Sequence, residues 1–114
     1  MDRVEKFKQL ALKRFDALNL GKSYQANRCF DQLQKIAIDL YNNGEISALR
    51  PLLRHEHDAV RYEAAVKLLP FFTEESEEVL EELTLKKGAA IYSFAKIMLE
   101  EWHKGNVKFA YYKR

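Results

Sequence analysis

Apolar residues recur every three or four positions along most of this chain, and this spacing constrains the fold more than any other feature of the sequence. The pattern is clearest in residues 23–43, whose apolar positions are Ala26, Cys29, Phe30, Leu33, Ile36, Ala37, Leu40 and Tyr41. This spacing is the period of an α-helix that buries one face. The alternation of a half-buried strand is missing until the final segment VKFAYY. The sequence therefore predicts an all-α fold.

Glycine residues divide the pattern into six predicted helices. Each glycine follows a helical stretch, as expected of residues that end helices in the left-handed conformation: Gly21, Gly44, Gly88 and Gly105. The predicted helices cover about residues 2–20, 23–43, 46–54, 58–69, 73–87 and 89–104. Because Pro51 lacks a backbone donor, we expect it in the first turn of the third helix or at a kink.

Polar residues at the amino ends of three predicted helices are expected to cap them: Asp2 in a capping box with Glu5, then Asp58 and Thr73. The first helix is expected to bury Val4, Phe7, Ala11, Phe15 and Leu18. The sixth helix is apolar around most of its circumference. We therefore expect it to be the most deeply buried element, with Trp102 in the core.

The composition is that of a small globular chain with nearly balanced charge. Its 114 residues are enough for one domain, predicted to span residues 1–114. A net charge of +2 by itself indicates neither nucleic-acid nor membrane binding. No signal peptide and no membrane-spanning run are expected. Cys29 is the single cysteine, so no intramolecular disulfide is possible and a cytoplasmic location is predicted.

No motif for catalysis or cofactor binding stands out, and we predict a protein that is not an enzyme and needs no cofactor. Residues 55–58 (His-Glu-His-Asp) contain possible metal ligands, but a loop gives them no shared face, so a solvated turn is favoured over a metal site. Cys29 lies within the apolar stripe, where an inert core thiol is favoured over a reactive one. A site built from scattered carboxylates stays open.

The last four predicted helices repeat with an offset of about 30 residues. The pairs brought into register are Leu49 with Val79, Leu53 with Leu83, Tyr62 with Tyr92, Ala65 with Ala95, and Leu69 with Leu99. Such a repeat is typical of an α-solenoid, in which each hairpin is buried by stacking on the next. We therefore predict about three stacked hairpins, with residues 1–44 forming the first, residues 46–104 the other two, and residues 105–114 a tail.

The stretch LRPLLRHEHDAVRYEAAVKLL resembles a HEAT repeat, with paired leucines, a short turn, Asp58, Val60, Arg61 and the small pair Ala64 and Ala65. The resemblance implies structural roles for Asp58 and Arg61, which would cap the second helix and link adjacent repeats. The second copy has Gly88 and Ile91 at these positions, as fits a terminal repeat. Down to its ending MLEEWHKG, the chain is similar to a family of small bacterial HEAT-like proteins, some of them encoded beside polymorphic or contact-dependent toxins.

Candidate contact residues follow from this architecture, because the second helix of each hairpin lines the concave face of a HEAT-type solenoid. They are Arg28, Gln32, Lys35, Tyr62, Glu63, Lys67, Tyr92 and Lys96. Tyr62 and Tyr92 hold the same repeat position, and a half-exposed tyrosine is a strong contact residue. The alternative is that both tyrosines only pack between hairpins.

Charge is unevenly distributed along the chain. The fifth predicted helix carries Glu74, Glu75, Glu77, Glu78, Glu81 and Glu82. These residues form either a solvated face or a docking surface for a basic partner, with Glu78 and Glu82 as the candidate contacts. Basic residues gather at the two ends: Lys6, Lys8, Lys13, Arg14 and Lys22, then Lys104, Lys108, Lys113 and Arg114. The aromatic tail that carries the second group either contacts nucleic acid or packs across the end of the fold.

These observations predict a non-catalytic module that binds another protein. The resemblance makes the concrete expectation a bacterial immunity protein that neutralises a cognate toxin by direct binding. An acidic surface would suit a nuclease toxin, whose RNA-binding groove must be positive. The alternative is a nucleic-acid binder, because some HEAT-like proteins, including alkylpurine DNA glycosylases, hold DNA along a basic concave face. Those glycosylases are longer and strongly basic, so nucleic acid is disfavoured as a partner here. The oligomeric state stays open.

Overall fold

A computed structural model describes residues 2–112 of the chain. Within that range the chain forms five α-helices, one 3₁₀ helix and no β-strand. In chain order, these elements are α1 (Arg3–Asn19), α2 (Ser23–Asn42), the 3₁₀ helix (Ile46–Arg54), α3 (Asp58–Leu68), α4 (Thr73–Leu83) and α5 (Ala90–His103). The all-α prediction is confirmed for these residues. Lys113 and Arg114, which the sequence places in a basic tail, lie outside the described range.

Helix ends follow the predicted signals at α1 and α2 and depart from them at α4. Asp2 caps α1, since its Oδ1 accepts a hydrogen bond of 2.8 Å from the amide of Glu5. Gly21 has a φ of 70° directly after α1. The prediction that the fifth helix continues to Lys87 is wrong, because α4 ends at Leu83. The next residue, Thr84, is β-branched, and its hydroxyl donates to the carbonyl of Glu81, which competes with helix continuation.

Two of the predicted amino-terminal caps are wrong. His57 rather than Asp58 caps α3, because the imidazole Nδ1 accepts a hydrogen bond of 3.1 Å from the amide of Ala59. Asp58 is already inside the helix, and its carboxylate pairs with Lys86 at 2.8 Å. Thr73 does not cap α4 either, since its hydroxyl donates backwards to the carbonyl of Leu69. In each case the polar side chain has a partner other than the free amides of the first turn.

The segment that contains Pro51 is a 3₁₀ helix along its whole length, not an α-helix with a kink. Proline removes one backbone donor and clashes with the carbonyl four residues earlier, and the tighter winding of a 3₁₀ helix avoids that contact. The winding still places Leu49, Leu52 and Leu53 in the core. The predicted bounds of this segment, residues 46–54, are confirmed.

Helix α3 lies at the centre of the fold. It packs against α1, the 3₁₀ helix, α4 and α5, while the 3₁₀ helix also contacts α2 and α4. These contacts place α1, α3 and α5 side by side in one layer, and α2, the 3₁₀ helix and α4 in the other. The expectation that the second helix of every hairpin shares one face is wrong for the first hairpin, because α1 rather than α2 lies beside α3.

Burial is greatest in α3, and the prediction that the sixth helix is the most buried element is wrong. From Ala59 to Leu68, every residue of α3 except Arg61 is buried. Helix α5 is last in its layer and packs on one side only, so Ile97 on its outer side is 58% exposed. Trp102 is half-buried rather than part of the core. The buried apolar side chains form one continuous cluster to which all six helices contribute.

Candidate functional site

Helix α3 buries two charged side chains among its apolar ones. Glu63 and Lys67 are only 4% and 1% exposed. They stand four residues apart, so both side chains project from the same face of the helix. Glutamate and lysine are almost never fully buried unless they are paired. These two residues therefore require partners from other helices.

Arg14 on α1 is the partner of Glu63. Its Nη1 donates a hydrogen bond to Oε2 of Glu63, and the two side chains are 19% and 6% exposed, so water screens this ion pair weakly. The guanidinium also lies 5.1 Å from the ring centroid of Phe30 on α2 and 5.9 Å from that of Phe94 on α5. We call Arg14, Glu63 and Lys67 the buried charge cluster. It contains two cations and one carboxylate.

The ammonium of Lys67 lies against aromatic rings. Its Nζ is 4.9 Å from the ring centroid of Phe30 and 5.8 Å from that of Tyr111. Burial lowers the pKa of Lys67 to about 8, because the charged form loses hydration, while Glu63 opposes the shift and Arg14 adds to it. The ring faces replace part of the lost hydration. Lys67 is therefore mostly charged at pH 7, which is below this pKa.

The tail after α5 runs across this cluster. The hydroxyl of Tyr112 donates to the backbone carbonyl of Lys67 at 3.0 Å. The ring centroid of Tyr112 lies 5.0 Å from those of Tyr41 on α2 and Phe71 in the α3–α4 turn. Burial raises the pKa of Tyr111 to about 12 and raises that of Tyr112 further. The tail thus joins elements that are distant in sequence.

A second group of contacts holds the start of the tail. The ring of Phe109 packs edge-on against Trp102, with centroids 6.0 Å apart, and stacks parallel to Tyr112. The indole Nε1 of Trp102 donates to Oε2 of Glu77 on α4 at 2.7 Å. The aromatic residues of the tail therefore pack across the end of the fold, which is the simpler of the two expectations for this segment.

Three predicted contact residues are buried instead of facing solvent: Tyr62, Glu63 and Lys67. The expectation of a polar, partner-facing side on the fourth helix is wrong for them, because α3 is enclosed by its neighbours and by the tail. Tyr62 lies 6.1 Å from Phe94 on α5, and burial, followed by the charge of Glu63, raises its pKa well above the usual range. Of the two tyrosines at the repeat position, only Tyr92 is half-exposed.

The predicted contact residues on α2 are accessible. Arg28 and Gln32 line an open groove between α1 and α2, together with Lys13. Lys6 extends the same groove towards the start of α1. Lys35 is exposed on α2 but does not line the groove. No carboxylate is among the described residues that line it, so this surface, the basic groove, is positively charged.

The predicted contact residues on α4 and α5 fall into two sets. Tyr92 and Lys96 line a shallow groove between these helices, and Glu78 is exposed on α4. Glu82, by contrast, pairs with Arg61 of α3, with Nη2 and Oε2 2.5 Å apart. This ion pair joins α4 to α3, so Glu82 has a structural partner within the chain. Whether the accessible residues contact a partner stays a prediction.

Within residues 2–112, no three His, Cys, Asp or Glu side chains are grouped closely enough to hold a metal ion. In the turn before α3, Nδ1 of His55 accepts from the amide of His57, and the imidazole of His57 caps the helix. Cys29 is buried on α2, as its place in the apolar stripe predicts. In the described range, no helix combines the length and the hydropathy that spanning a membrane requires.

Sequence reasoning missed Arg14, although its position carried a signal. The buried residues of α1 are Phe7, Leu10, Ala11 and Ala17, so the prediction is right for Phe7 and Ala11, while Val4, Phe15 and Leu18 are only partly buried. Arg14 stands three residues after Ala11 and three before Ala17, so it occupies the next position of the buried stripe. A charged residue inside a buried stripe indicates an internal counter-charge, here Glu63.

The fold and these side chains define a small all-α domain with a buried charge cluster on α3 and an exposed basic groove between α1 and α2. Comparison with known families identifies its relatives, since the model of the family described as "Domain of unknown function (DUF2019)" matches residues 1–102. The chain belongs to this family. It matches none of the curated proteins or solved structures with which it was compared. The tail that covers the cluster lies beyond the matched residues.

Proposed function

We propose that this protein is a non-catalytic protein-binding module of the cytoplasm, and most concretely a bacterial immunity protein that neutralises a cognate toxin by direct binding. The observation that carries the proposal is a row of free carboxylates on α4. Glu74, Glu78 and Glu81 are exposed, and none of them forms an ion pair within the described residues. We call this row the acidic stripe.

The position of the three residues explains why they act together. They stand at i, i+4 and i+7, which is one face of a helix. Like charges at this spacing repel each other and weaken an isolated helix by a few tenths of a kcal/mol, roughly 0.2–0.5 for each pair. A basic partner would remove that repulsion. The acidic stripe therefore suits a positively charged protein surface, such as the substrate groove of a nuclease toxin.

The other carboxylates of α4 have partners inside the protein. Glu75 pairs with Arg50 of the 3₁₀ helix, Glu77 accepts from Trp102, and Glu82 pairs with Arg61. These three residues hold α4 to its neighbours. Of the two acidic residues that the sequence suggests as contacts, Glu78 belongs to the acidic stripe and Glu82 does not.

The proposal includes a HEAT-like α-solenoid for the last four helices. It is supported by burial, because both members of four of the five repeat pairs are buried: Leu49 and Val79, Leu53 and Leu83, Ala65 and Ala95, Leu69 and Leu99. It is also supported by Arg61, which reaches from α3 to Glu82 of the next hairpin and donates to the carbonyl of Leu53. A linking arginine is what the resemblance to HEAT repeats implies.

The test uses the protein encoded by the neighbouring gene, which the proposal predicts to be a toxin. Cells that produce the neighbouring protein should survive when the wild-type chain is produced with it. The two purified proteins should form a complex. The double variant Glu78→Lys and Glu81→Lys should associate more slowly and protect less, because rim charges act mostly on the association rate. A matched control, Asp31→Lys with Asp39→Lys, changes the net charge equally from exposed positions on α2.

Each result is decisive for one part of the proposal. If the control protects and the α4 variant does not, the acidic stripe is the contact surface. If both variants protect equally, the stripe is not the contact surface. If the wild-type chain neither protects cells nor binds the neighbouring protein, the immunity proposal is overturned.

The alternative is nucleic-acid binding, and one observation favours it. The basic groove contains Lys6, Lys13 and Arg28 and lacks an acidic lining residue in the described chain. Two other basic residues of the amino-terminal half are already paired, Arg14 with Glu63 and Lys8 with Glu5. Three cations without an ion pair in the described chain support weak, salt-sensitive contact with phosphates. We therefore rank nucleic acid below a basic protein as the partner.

A further inference from the structure

Among the described residues, the buried charge cluster has fewer acceptors than donors. It holds two cations, Arg14 and Lys67, against the single carboxylate of Glu63. The Nε of Arg14 is buried and has no hydrogen-bond partner. Among residues 2–112, the ammonium of Lys67 has aromatic rings around it but no hydrogen-bond acceptor. A buried donor without an acceptor is costly, so a further negative group beside Nε of Arg14 would be stabilised.

The tail that closes the cluster is held mainly by side chains. Beyond Asn106, whose amide donates to Glu101, the tail has no backbone hydrogen bond to the described helices. The amide of Tyr112 donates only to Phe109 within the tail itself. Segments with few backbone hydrogen bonds open at low free energy without disturbing the rest of a fold. The tail can therefore move away while α1, α3 and α5 stay in place.

We propose that Arg14 and Lys67 form a binding site for a carboxylate carried on an apolar body, and that the aromatic tail covers this site and is displaced by the ligand. The proposal is independent of the acidic stripe on α4. A single negative charge would balance the cluster, whereas a phosphate dianion would exceed it. The rings of Phe30 and Phe94 beside the guanidinium offer apolar walls to the body that carries the carboxylate.

Two sources share this chemistry, a free organic acid and a carboxylate presented by a peptide chain. In either case the carboxylate would accept hydrogen bonds from Nε of Arg14 and from the ammonium of Lys67, and charge-assisted hydrogen bonds of this kind are the strong ones. The ring of Tyr111, which lies over the Lys67 ammonium when the tail is closed, would give up its place. Ligand binding and tail closure are then mutually exclusive.

Trp102 provides a built-in reporter of tail release. It is the single tryptophan of the chain, and Phe109 packs against its indole. Benzoate titrated into the full-length protein should change the Trp102 fluorescence in a saturable way, because the tail leaves the indole. Benzamide has the same shape without the charge, acetate has the charge without the ring, and sodium chloride controls for ionic strength. The benzoate concentration that gives half of the maximal fluorescence change should be at least about tenfold lower than that of any of these controls.

Variants assign the response to the cluster. Lys67→Met should fold, since it replaces a buried cation by an apolar side chain of similar length, and it should weaken the benzoate response at least about tenfold. The matched control Lys96→Met removes an exposed lysine of α5 and should respond as the wild type does. The variant Glu78→Lys with Glu81→Lys should also respond normally, which separates this site from the acidic stripe.

The ligand source is resolved by comparing benzoate with N-acetylglycyl-phenylalanine, a peptide that ends in a free carboxylate beside an aromatic ring. Tighter binding of the peptide assigns the site to a peptide carboxylate, and tighter binding of benzoate assigns it to an organic acid. The proposal is overturned if the wild type shows no saturable change up to about 10 mM of either probe. It is equally overturned if benzamide matches benzoate or if Lys67→Met responds like the wild type.

Discussion

Arg14 on α1 donates to the carboxylate of Glu63 on α3, and this largely buried ion pair joins residues that are 49 positions apart in the chain. It fixes the first hairpin against the central helix. Because Lys67 lies on the same face of α3, the carboxylate of Glu63 is the nearby counter-charge for two cations.

Glu63→Gln should therefore destabilise the protein strongly. Removing the carboxylate leaves two cations in a poorly solvated position, and breaking a buried pair in this way typically costs about 3 kcal/mol or more. The measurement is the free energy of unfolding in urea. Glu75→Gln is the control, because it removes one partner of the Arg50 pair, which is exposed, and should change stability little. Equal losses in the two variants would contradict a special role for Glu63.

Lys67→Met should stabilise the protein at neutral pH by roughly 2 kcal/mol, because it removes the cost of burying a charge. The pH dependence follows from the pKa, which is about 8 in the folded protein and 10.5 ordinarily. Between these values the unfolded wild type binds more protons than the folded one, so its stability rises with pH. The advantage of the methionine variant should thus shrink between pH 8 and 9.5.

Three tyrosines also make the stability of the protein depend on pH at the alkaline end of this comparison. Tyr62, Tyr111 and Tyr112 have raised pKa values in the fold, so stability is lost as the pH rises above about 10 and the unfolded tyrosines ionise. The difference between wild type and Lys67→Met cancels this contribution. A difference that stays constant from pH 7 to pH 9.5 would show that Lys67 is well solvated.

Trp102→Ala should lower the free energy of unfolding by about 2 kcal/mol, less than the roughly 3–5 kcal/mol of a fully buried tryptophan, because the indole is half-buried. Trp102→Phe should lose about 1 kcal/mol with the hydrogen bond to Glu77. Trp102→Ala should also accelerate trypsin cleavage after Lys108, because Phe109 loses its aromatic partner. Unchanged cleavage would mean that Trp102 does not hold the tail.

Nucleic-acid affinity should be weak at physiological salt. Fluorescence anisotropy with a labelled duplex and a labelled single strand at about 150 mM salt should give dissociation constants weaker than roughly 100 μM. Any binding at lower salt should be reduced by replacing Lys6, Lys13 and Arg28 with glutamine, which would also flatten the salt dependence. Micromolar binding that depends on these three residues would reverse the ranking of the two functions.

The elements of the fold could be predicted from the sequence because they rest on local physics. The apolar stripe of α2, the capping aspartate of α1 and the bounds of the 3₁₀ segment all follow from interactions within a few residues. Errors appeared where a predicted capping side chain had another partner, as at Asp58, which pairs with the distant Lys86, and at Thr73, which donates to the carbonyl of Leu69. The sequence thus determined how many helices form and roughly where each one ends.

The candidate sites depended on tertiary structure. On one helix, α4, six similar glutamates separate into free and paired residues only through the helices that pack beside it. Tyr62, Glu63 and Lys67 look like a polar helix face in the sequence, yet α1, α5 and the tail enclose them. Sequence periodicity determines which residues share a helix face. Whether that face meets solvent or a counter-charge tens of residues away is decided by the packing of distant elements, because burial and ion pairing act through space and not along the chain.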